Sequence, residues 1–476
     1  MATDFAYMSA QELAHLVSSK QATAVEITNA ALHRLESLEV TLNAFVTPTP
    51  ELALAAAARV DLAVAQKAPL PPLAGVPISV KDLIDVAGIR TTFGSQVMRD
   101  NVASVDAPSV ERIKEAGACI VGKTTTTEFG CKAGGGDSPL TGITRNPWNT
   151  TRSPGGSSAG AASSVAAGVT PLALGTDGGG SCRIPAALCG LVGVKAQYGR
   201  VPVFPASATP SLGHVGAIAR TVVDAAQLLQ VLAGFDARDP ASVAQEVPNF
   251  VGACSRGVAN LRIAWSPNLG YARVSDEVRQ LTSSAVDRLE SLGCIVQTVE
   301  HVFREDPIDL WSAEFYGGVG LRLKSALDHT SDLLDPAVVE MLADALYGQS
   351  VEQYFLKYFK RFEIREEFRK WLEPYDVLIT PTLPVAELLA GVNVPQELPD
   401  RNIVSWVYYT YPFNLTGNPA ASVPCGFSQN GMPVGLQIVA KTLREADLFR
   451  VAGALEATAP WSHLIPTSLR EVGPAT

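Results

Sequence analysis

Residues 153–187 read SPGGSSAGAASSVAAGVTPLALGTDGGGSCRIPAA. The run passes from a glycine loop into a helix of small residues, then an apolar strand, then a second glycine loop. Such alternation, continued along the chain, predicts an α/β protein with a largely buried sheet. It also sets Ser157 and Ser181 in loops almost free of side-chain bulk. A serine flanked by glycines admits close approach of a carbonyl, and the surrounding N–H groups can stabilise a developing oxyanion. Upstream, Lys81 ends the apolar strand of LAGVPISVKDLIDVAG at 73–88. Burial there lowers the affinity of an amine for its proton and makes it a base. The three residues together predict a nucleophilic hydrolase that uses lysine as its base.

The rest of the chain fits this reading. It has 476 residues, 47% hydrophobic and 18% charged, enough for a large core. No apolar stretch reaches the roughly 18 residues of a membrane helix. The first residues, MATDFAYMSAQELAHL, carry an early acid and no basic segment, unlike a secretory signal. The net charge of −10 and the lack of a basic block argue against binding nucleic acid or an anionic membrane. Seven scattered cysteines without a C-x-x-C pair suit reduced thiols in a cytoplasmic protein, and no metal or cofactor is expected.

Ser9 with Glu12, and Thr23 with Glu26, are capping boxes before apolar runs and predict two opening helices. Further helices are expected over 51–65, 109–116 and 276–292. Strands are expected at 118–121, 193–195, 261–265, 378–381 and 436–440, and a long excursion over 236–258. Residues 1–476 read as a single large domain whose mixed, mostly buried central sheet is closed by both halves of the chain. Two motifs mislead. Gly117–Thr124 matches a P-loop, but its middle residues ACIV favour a strand over a phosphate loop. Gly156–Gly160 matches a hydrolase elbow with Ser158 as nucleophile, but a loop, not a strand, precedes it. His214 lies between apolar residues and reads as structural, and Gly134–Asp137 as a turn lining the pocket.

Several long stretches in order resemble the amidase signature family of serine hydrolases. They are AGVPISVKDLIDVAG (74–88), GKTTTTEFG (122–130), TRNPWN (144–149), the 153–187 run, YGRVP (198–202), DVLITPTLP (376–384), FNLTGNPAASVP (413–424) and GMPVGLQIV (431–439). The resemblance implies the amidase signature fold, with a core over about 74–202 and a more variable pocket region over about 300–412. It implies Ser181 as nucleophile, Ser157 as a proton bridge on a cis Gly156–Ser157 peptide, and Lys81 as base. The N–H groups of Gly178, Gly179, Gly180 and Ser181 would form the oxyanion hole. Ser158 would order the loop, and Asp177 and Arg183 would pair to hold it. Ala159 and Cys182 depart from the family's usual residues without removing a reacting group. The histidine-free setting of Cys182 argues against a cysteine nucleophile.

The resemblance implies hydrolysis of a linear amide, with an aryl or hydrophobic acyl group, through an acyl-Ser181 intermediate. Esters and carbamates would be side substrates, and a homodimer is expected. Trp311, Phe315, Tyr316, Tyr354, Phe355, Tyr358, Trp406, Tyr408 and Tyr409 are candidate pocket aromatics against ordinary core packing. Two alternatives stand beside this reading. One is the A-type subunit of a glutamyl/aspartyl-tRNA amidotransferase, although Ile184 after Arg183 is more usual in free-standing amidases. The other is a binding protein that kept the fold and lost the chemistry.

Overall fold

The computed structural model describes residues 4–469, so the ends of the 1–476 span lie outside the described residues. Eleven strands join in one sheet: β1 (Phe45–Pro48), β2 (Pro77–Lys81), β3 (Cys119–Thr124), β4 (Leu172–Thr176), β5 (Val192–Lys195), β6 (Val215–Ala219), β7 (Arg262–Trp265), β8 (Ile295–Thr298), β9 (Val377–Pro381), β10 (Ala420–Phe427) and β11 (Pro433–Ala440). Their order across the sheet is β1-β3-β2-β4-β6-β5-β10-β11-β9-β7-β8. The sheet is mixed. β3, β2 and β4 run parallel, as do β9, β7 and β8, while the pairs through β6, β5, β10 and β11 are antiparallel. Late strands β10 and β11 close onto β5 from the first half, as the sequence reading expected.

Every residue of β2 is buried, because parallel neighbours flank it and helices cover it. Lys81 is its last residue, and Thr176 is the last of the parallel neighbour β4. Both side chains therefore emerge at the carboxyl ends of adjacent parallel strands, the edge where α/β sheets place their ligands. The helix Ala159–Ala166 is buried throughout and packs on β2, β3, β4 and β6. Only small residues let a helix lie that close. A Cβ on Gly160 would stand 2.1 Å from the Ala44 carbonyl oxygen and 2.4 Å from Thr125 Oγ1.

The predicted elements form with small shifts. Both capping boxes are made, before Ala10–Ser18 and Ala24–Leu42. Helices Pro50–Ala65, Pro108–Glu115 and Asp276–Ser291 and the five expected strands are present. The P-loop look-alike is the buried strand β3. Residues 236–258 are turns around one short helix, Phe250–Ala253. Beyond β8, helices Ile308–Arg322, Pro336–Tyr347 and Val351–Leu372 pack together and carry a second, aromatic-rich core.

Gly160→Ala tests the close packing. Alanine gains up to about 1 kcal/mol in helix propensity, but the clash outweighs it. The variant is expected to lose about 1–3 kcal/mol of stability, read as a lower midpoint in urea unfolding.

Candidate active site

Lys81 is fully buried, and its Nζ lies 2.7 Å from Ser157 Oγ and 2.7 Å from Thr176 Oγ1. No carboxylate among the described residues pairs with it. Its neighbour Asp82 is engaged elsewhere, 3.0 Å from the buried Lys123 Nζ, and accepts from the Thr92 N–H and hydroxyl. Burial without a partner lowers the Lys81 pKa to about 7. Lys123, the lysine of the misleading P-loop motif, thus acts by occupying Asp82, the acid next to Lys81 in the chain.

The peptide Gly156–Ser157 is cis. Ser157 and Ser181 line one cavity of about 520 Å³ together with Thr176 and Gly178. Ser181 is partly exposed there, and its hydroxyl makes no hydrogen bond among the described residues. Ser158 is buried at the start of the Ala159–Ala166 helix. Its N–H donates to the Ser181 carbonyl (3.3 Å) and its Oγ to the Thr176 carbonyl (3.3 Å). A serine so placed ties the two glycine loops together and presents no hydroxyl to the cavity.

Asp177 and Arg183 form a two-pronged pair, with Nη2 to Oδ1 at 2.8 Å and Nε to Oδ2 at 3.0 Å, both side chains fully buried. Burial alone would raise the Asp177 pKa, but the charge and hydrogen bonds of Arg183 hold it well below the usual carboxylate range. Asp177 Oδ1 also accepts the Gly180 N–H at 2.8 Å, and Oδ2 the Cys182 N–H at 3.2 Å. This corrects one expectation. The Gly180 amide is committed to Asp177, which leaves Gly178, Gly179 and Ser181 as the amides of this loop without a protein acceptor among the described residues.

Sequence reasoning missed the part that four residues play in holding this loop. Arg183 also donates to Asn414 Oδ1 and Gln437 Oε1, each at 2.7 Å, and Asn414 Nδ2 donates to Asp177 Oδ1 at 2.9 Å. Thr410 Oγ1 donates to the Gly179 carbonyl (2.6 Å), and Trp311 Nε1 to the Gly178 carbonyl (2.8 Å). These residues lie some 130 to 260 positions away, and only the folded sheet brings them together. Asn414 sits inside the quoted 413–424 stretch, so that stretch carried the signal.

Other candidates make no hydrogen bond with Lys81, Ser157 or Ser181 among the described residues, although His214 lines the same cavity. The Cys182 thiol packs between β4 and β6, 2.8 Å from where Cβ atoms of Gly175 and Gly216 would stand, and burial pushes its pKa far above the usual thiol value. His214 Nδ1 lies 2.8 Å from the Leu212 carbonyl, and its Nε2 faces Lys195 Nζ at 3.5 Å. Burial holds the ring well below its ordinary pKa, so it is neutral and structural. Gly134–Gly136 pack against Asn393, Asp137 and Pro154 instead of lining the cavity. Of the nine candidate aromatics only Phe315 lines it. Trp406, Tyr408 and Tyr409 bond to the carbonyls of Asn393, Arg273 and Pro267 in the core, and Tyr354, Phe355 and Tyr358 lie on the outer helix. Among the described residues no group of three or more His, Cys, Asp or Glu is placed to hold a metal ion, and no helix is long and apolar enough to cross a membrane.

A buried lysine, a cis-peptide serine and a second serine in a glycine loop thus lie at one cavity. The family model described as Amidase matches residues 26–449. The chain belongs to the amidase signature family. It is 36% identical to an acylamidase of Rhodococcus erythropolis, over 97% of each chain. It is 35% identical to the A-type subunit of the glutamyl-tRNA(Gln) amidotransferase of Thermosynechococcus vestitus, over 96% of this chain and 99% of that one. The crystal structure of a bacterial aryl acylamidase of the same family superposes with a TM-score of 0.91 at 30% identity, covering 97% of this chain and 98% of that one. The amidase signature fold and its large mixed sheet, read from the sequence, are thereby shown.

Arg183→Ala would leave Asp177 charged and buried without its main partner. The expected cost is about 3–5 kcal/mol of stability, read from chemical denaturation, with a loss of activity that exceeds the loss of folded protein.

Proposed function

We propose that this chain is an amidase that cleaves a linear amide bearing an apolar group, through an acyl-Ser181 intermediate. One observation carries the reading: a fully buried Lys81, in no ion pair among the described residues, lies 2.7 Å from Ser157 Oγ, and Ser157 shares its cavity with Ser181. As a free amine, Nζ accepts the Ser157 hydroxyl proton and donates to Thr176 Oγ1. Ser157 in turn takes the proton of Ser181 as its Oγ attacks the substrate carbonyl. The bound substrate closes the Ser181–Ser157 step, since catalytic hydrogen bonds tighten in the complex. The amides of Gly178, Gly179 and Ser181 receive the carbonyl oxygen as it gains charge. Ser157 then returns the proton to the leaving nitrogen, and water releases the acid by the same route in reverse.

The cavity wall supports an apolar substrate. It includes Leu83, Phe93, Met98, Phe129, Phe315 and Val319, and its charged side chains are Asp85 and Arg322. The amidotransferase reading keeps weight from the 35% identity to that enzyme's chain. Glutamine, which that reaction class would require as ammonia source, is small and zwitterionic and suits this wall poorly. We further propose that residues 1–476 act as one domain, with the Ile308–Arg322 helix as the part of the 300–412 region that shapes the pocket.

A serine-directed fluorophosphonate is expected to label Ser181, located by peptide mass mapping, and Lys81→Ala is expected to abolish the labelling. Labelling at Ser158, or none on folded protein, would overturn the mechanism. Release of ammonia from glutamine faster than turnover of anilides would favour the amidotransferase reading. The pH dependence has a definite sign. Lys81 acts only when neutral, so kcat/KM is expected to rise with pH through about 7 and level off above it. Burial also lowers Lys195 to about 7, but Lys195 does not line the cavity. A Lys195→Met variant that keeps the limb assigns it to Lys81.

A further inference from the structure

Two phenylalanines on one side of the cavity hold an unusual backbone. Phe93 has φ 55° and Phe129 φ 47°, both left-handed. That region is costly for a bulky residue and persists only where surroundings enforce it, which makes it a pointer to function. The enforcement is visible. The Phe129 N–H donates to the Phe93 carbonyl at 2.8 Å, and the rings stack 5.8 Å apart at 17°. Each phenylalanine is followed by a left-handed glycine, Gly94 and Gly130. Both rings are half-buried and line the cavity.

The place of this pair relative to the reacting groups gives it a role. Gly130 follows Phe129 directly, and a Cβ there would stand 3.2 Å from Ser157 Oγ and 3.1 Å from Leu83 Cδ1. The aromatic wall thus adjoins the bridging serine. Phe315 backs Gly178, where a Cβ would meet its ring at 2.8 Å. The carbonyl oxygen turns to the Gly178 side. The leaving nitrogen must turn to Ser157, because it collects its proton there. That direction leads onto Leu83, Phe93 and Phe129, and the acyl group is left with the wall around Phe315.

We propose that the stacked Phe93–Phe129 pair is a specificity element for the leaving amine, seating a flat aryl group carried on the amide nitrogen. The inference rests on the amidase reading above and deepens it: the preferred substrates are N-aryl amides, with the acyl substituent read separately by the opposite wall. An aryl ring laid on the pair gains offset or edge contacts as well as burial. Phe129 shares the effect, but its chain neighbours touch Ser157, so Phe93 is the cleaner position to change.

The test compares acetanilide, with its ring on nitrogen, and benzamide, with its ring on the acyl side. Each substrate is its own control, because the variant-to-wild-type ratio of kcat/KM cancels intrinsic reactivity. Phe93→Gly removes the ring while easing the left-handed backbone, so folding is favoured, and Phe93→Tyr keeps the ring. In Phe93→Gly, kcat/KM for acetanilide is expected to fall about tenfold, the scale of a lost ring contact, and at least fivefold more than for benzamide. Phe93→Tyr is expected to keep the wild-type ratio between the two. Equal losses on both substrates, or a larger loss on benzamide, overturn the assignment. Fluorophosphonate labelling of Ser181 in every variant separates the two levels. If wild type is labelled and turns over amides but the ratios move together, only the amine-side assignment fails. If wild type is neither labelled nor active, the amidase reading fails and takes this inference with it.

Discussion

A lysine amine buried without a carboxylate beside it is the constraint on which this structure turns. Lysine is an almost wholly protonated cation in water at neutral pH. Only desolvation brings Lys81 into the range of a base, and a nearby acid would undo it. The acid is there in sequence, at Asp82, and the fold diverts it. Alternate residues of a strand point to opposite faces, so Lys81 and Asp82 diverge at the end of β2, and Lys123 from β3 neutralises the carboxylate at 3.0 Å. The same sheet edge supplies Thr176 to hold the amine. The burial of β2 between β3 and β4 is therefore, on the proposed mechanism, a condition of the chemistry as well as of stability.

A second requirement is a rigid donor loop over residues 177–181, and here the two halves of the chain depend on each other. Asp177 gathers two backbone N–H groups and Arg183. Arg183 reaches on to Asn414 beyond β9 and to Gln437 on β11. A buried ion pair is weak support for stability in general, because desolvation opposes it. This one has nearly all its polar atoms bonded, and its effect is positional. Committing the Gly180 amide to Asp177 fixes the turn and leaves the amides of Gly178, Gly179 and Ser181 without a protein acceptor among the described residues. The Trp311 and Thr410 bonds to the carbonyls of the same glycines clamp the turn from behind.

The sequence shows local structure well and distant contacts poorly. Capping boxes at Ser9 and Thr23, the strand delivering Lys81 and the strand character of ACIV are local signals, and each element forms. The glycine-rich run marked Ser157 and Ser181, and family resemblance supplied their roles and the Asp177–Arg183 pair. Composition misled for the pocket, because an aromatic side chain is as useful in a core as in a cavity. Trp406, Tyr408 and Tyr409 each spend a polar atom on a core carbonyl. The outer helix Val351–Leu372 interleaves Phe355, Phe359 and Phe362 with lysines and arginines, so no clean apolar face announces its packing. Phe93 and Phe129 went unnoticed because left-handed backbone is invisible in composition. Yet both stand in Phe-Gly pairs, TTFGS and TEFGC, and a repeated residue-glycine pair beside a strand end is a legible trace of such turns.

Under the proposed mechanism these features divide the cavity by function. An acyl-transfer site must tell apart three directions around one carbon: the oxygen, the leaving group and the acyl substituent. In that mechanism electrostatics fixes the first, through the amides of Gly178, Gly179 and Ser181. Proton transfer fixes the second, because only a nitrogen facing Ser157 can be protonated as it leaves. The third is set by what is left. Once those directions are assigned, a side chain in the wall acquires a meaning that volume and polarity alone do not give it. Phe315 behind Gly178 and Phe93 stacked on Phe129 are chemically the same residue, yet under the proposed assignment they serve opposite halves of the scissile bond. Selectivity for the acid and for the amine can then vary independently on one fold, by substitutions that leave Lys81, Ser157 and Ser181 untouched.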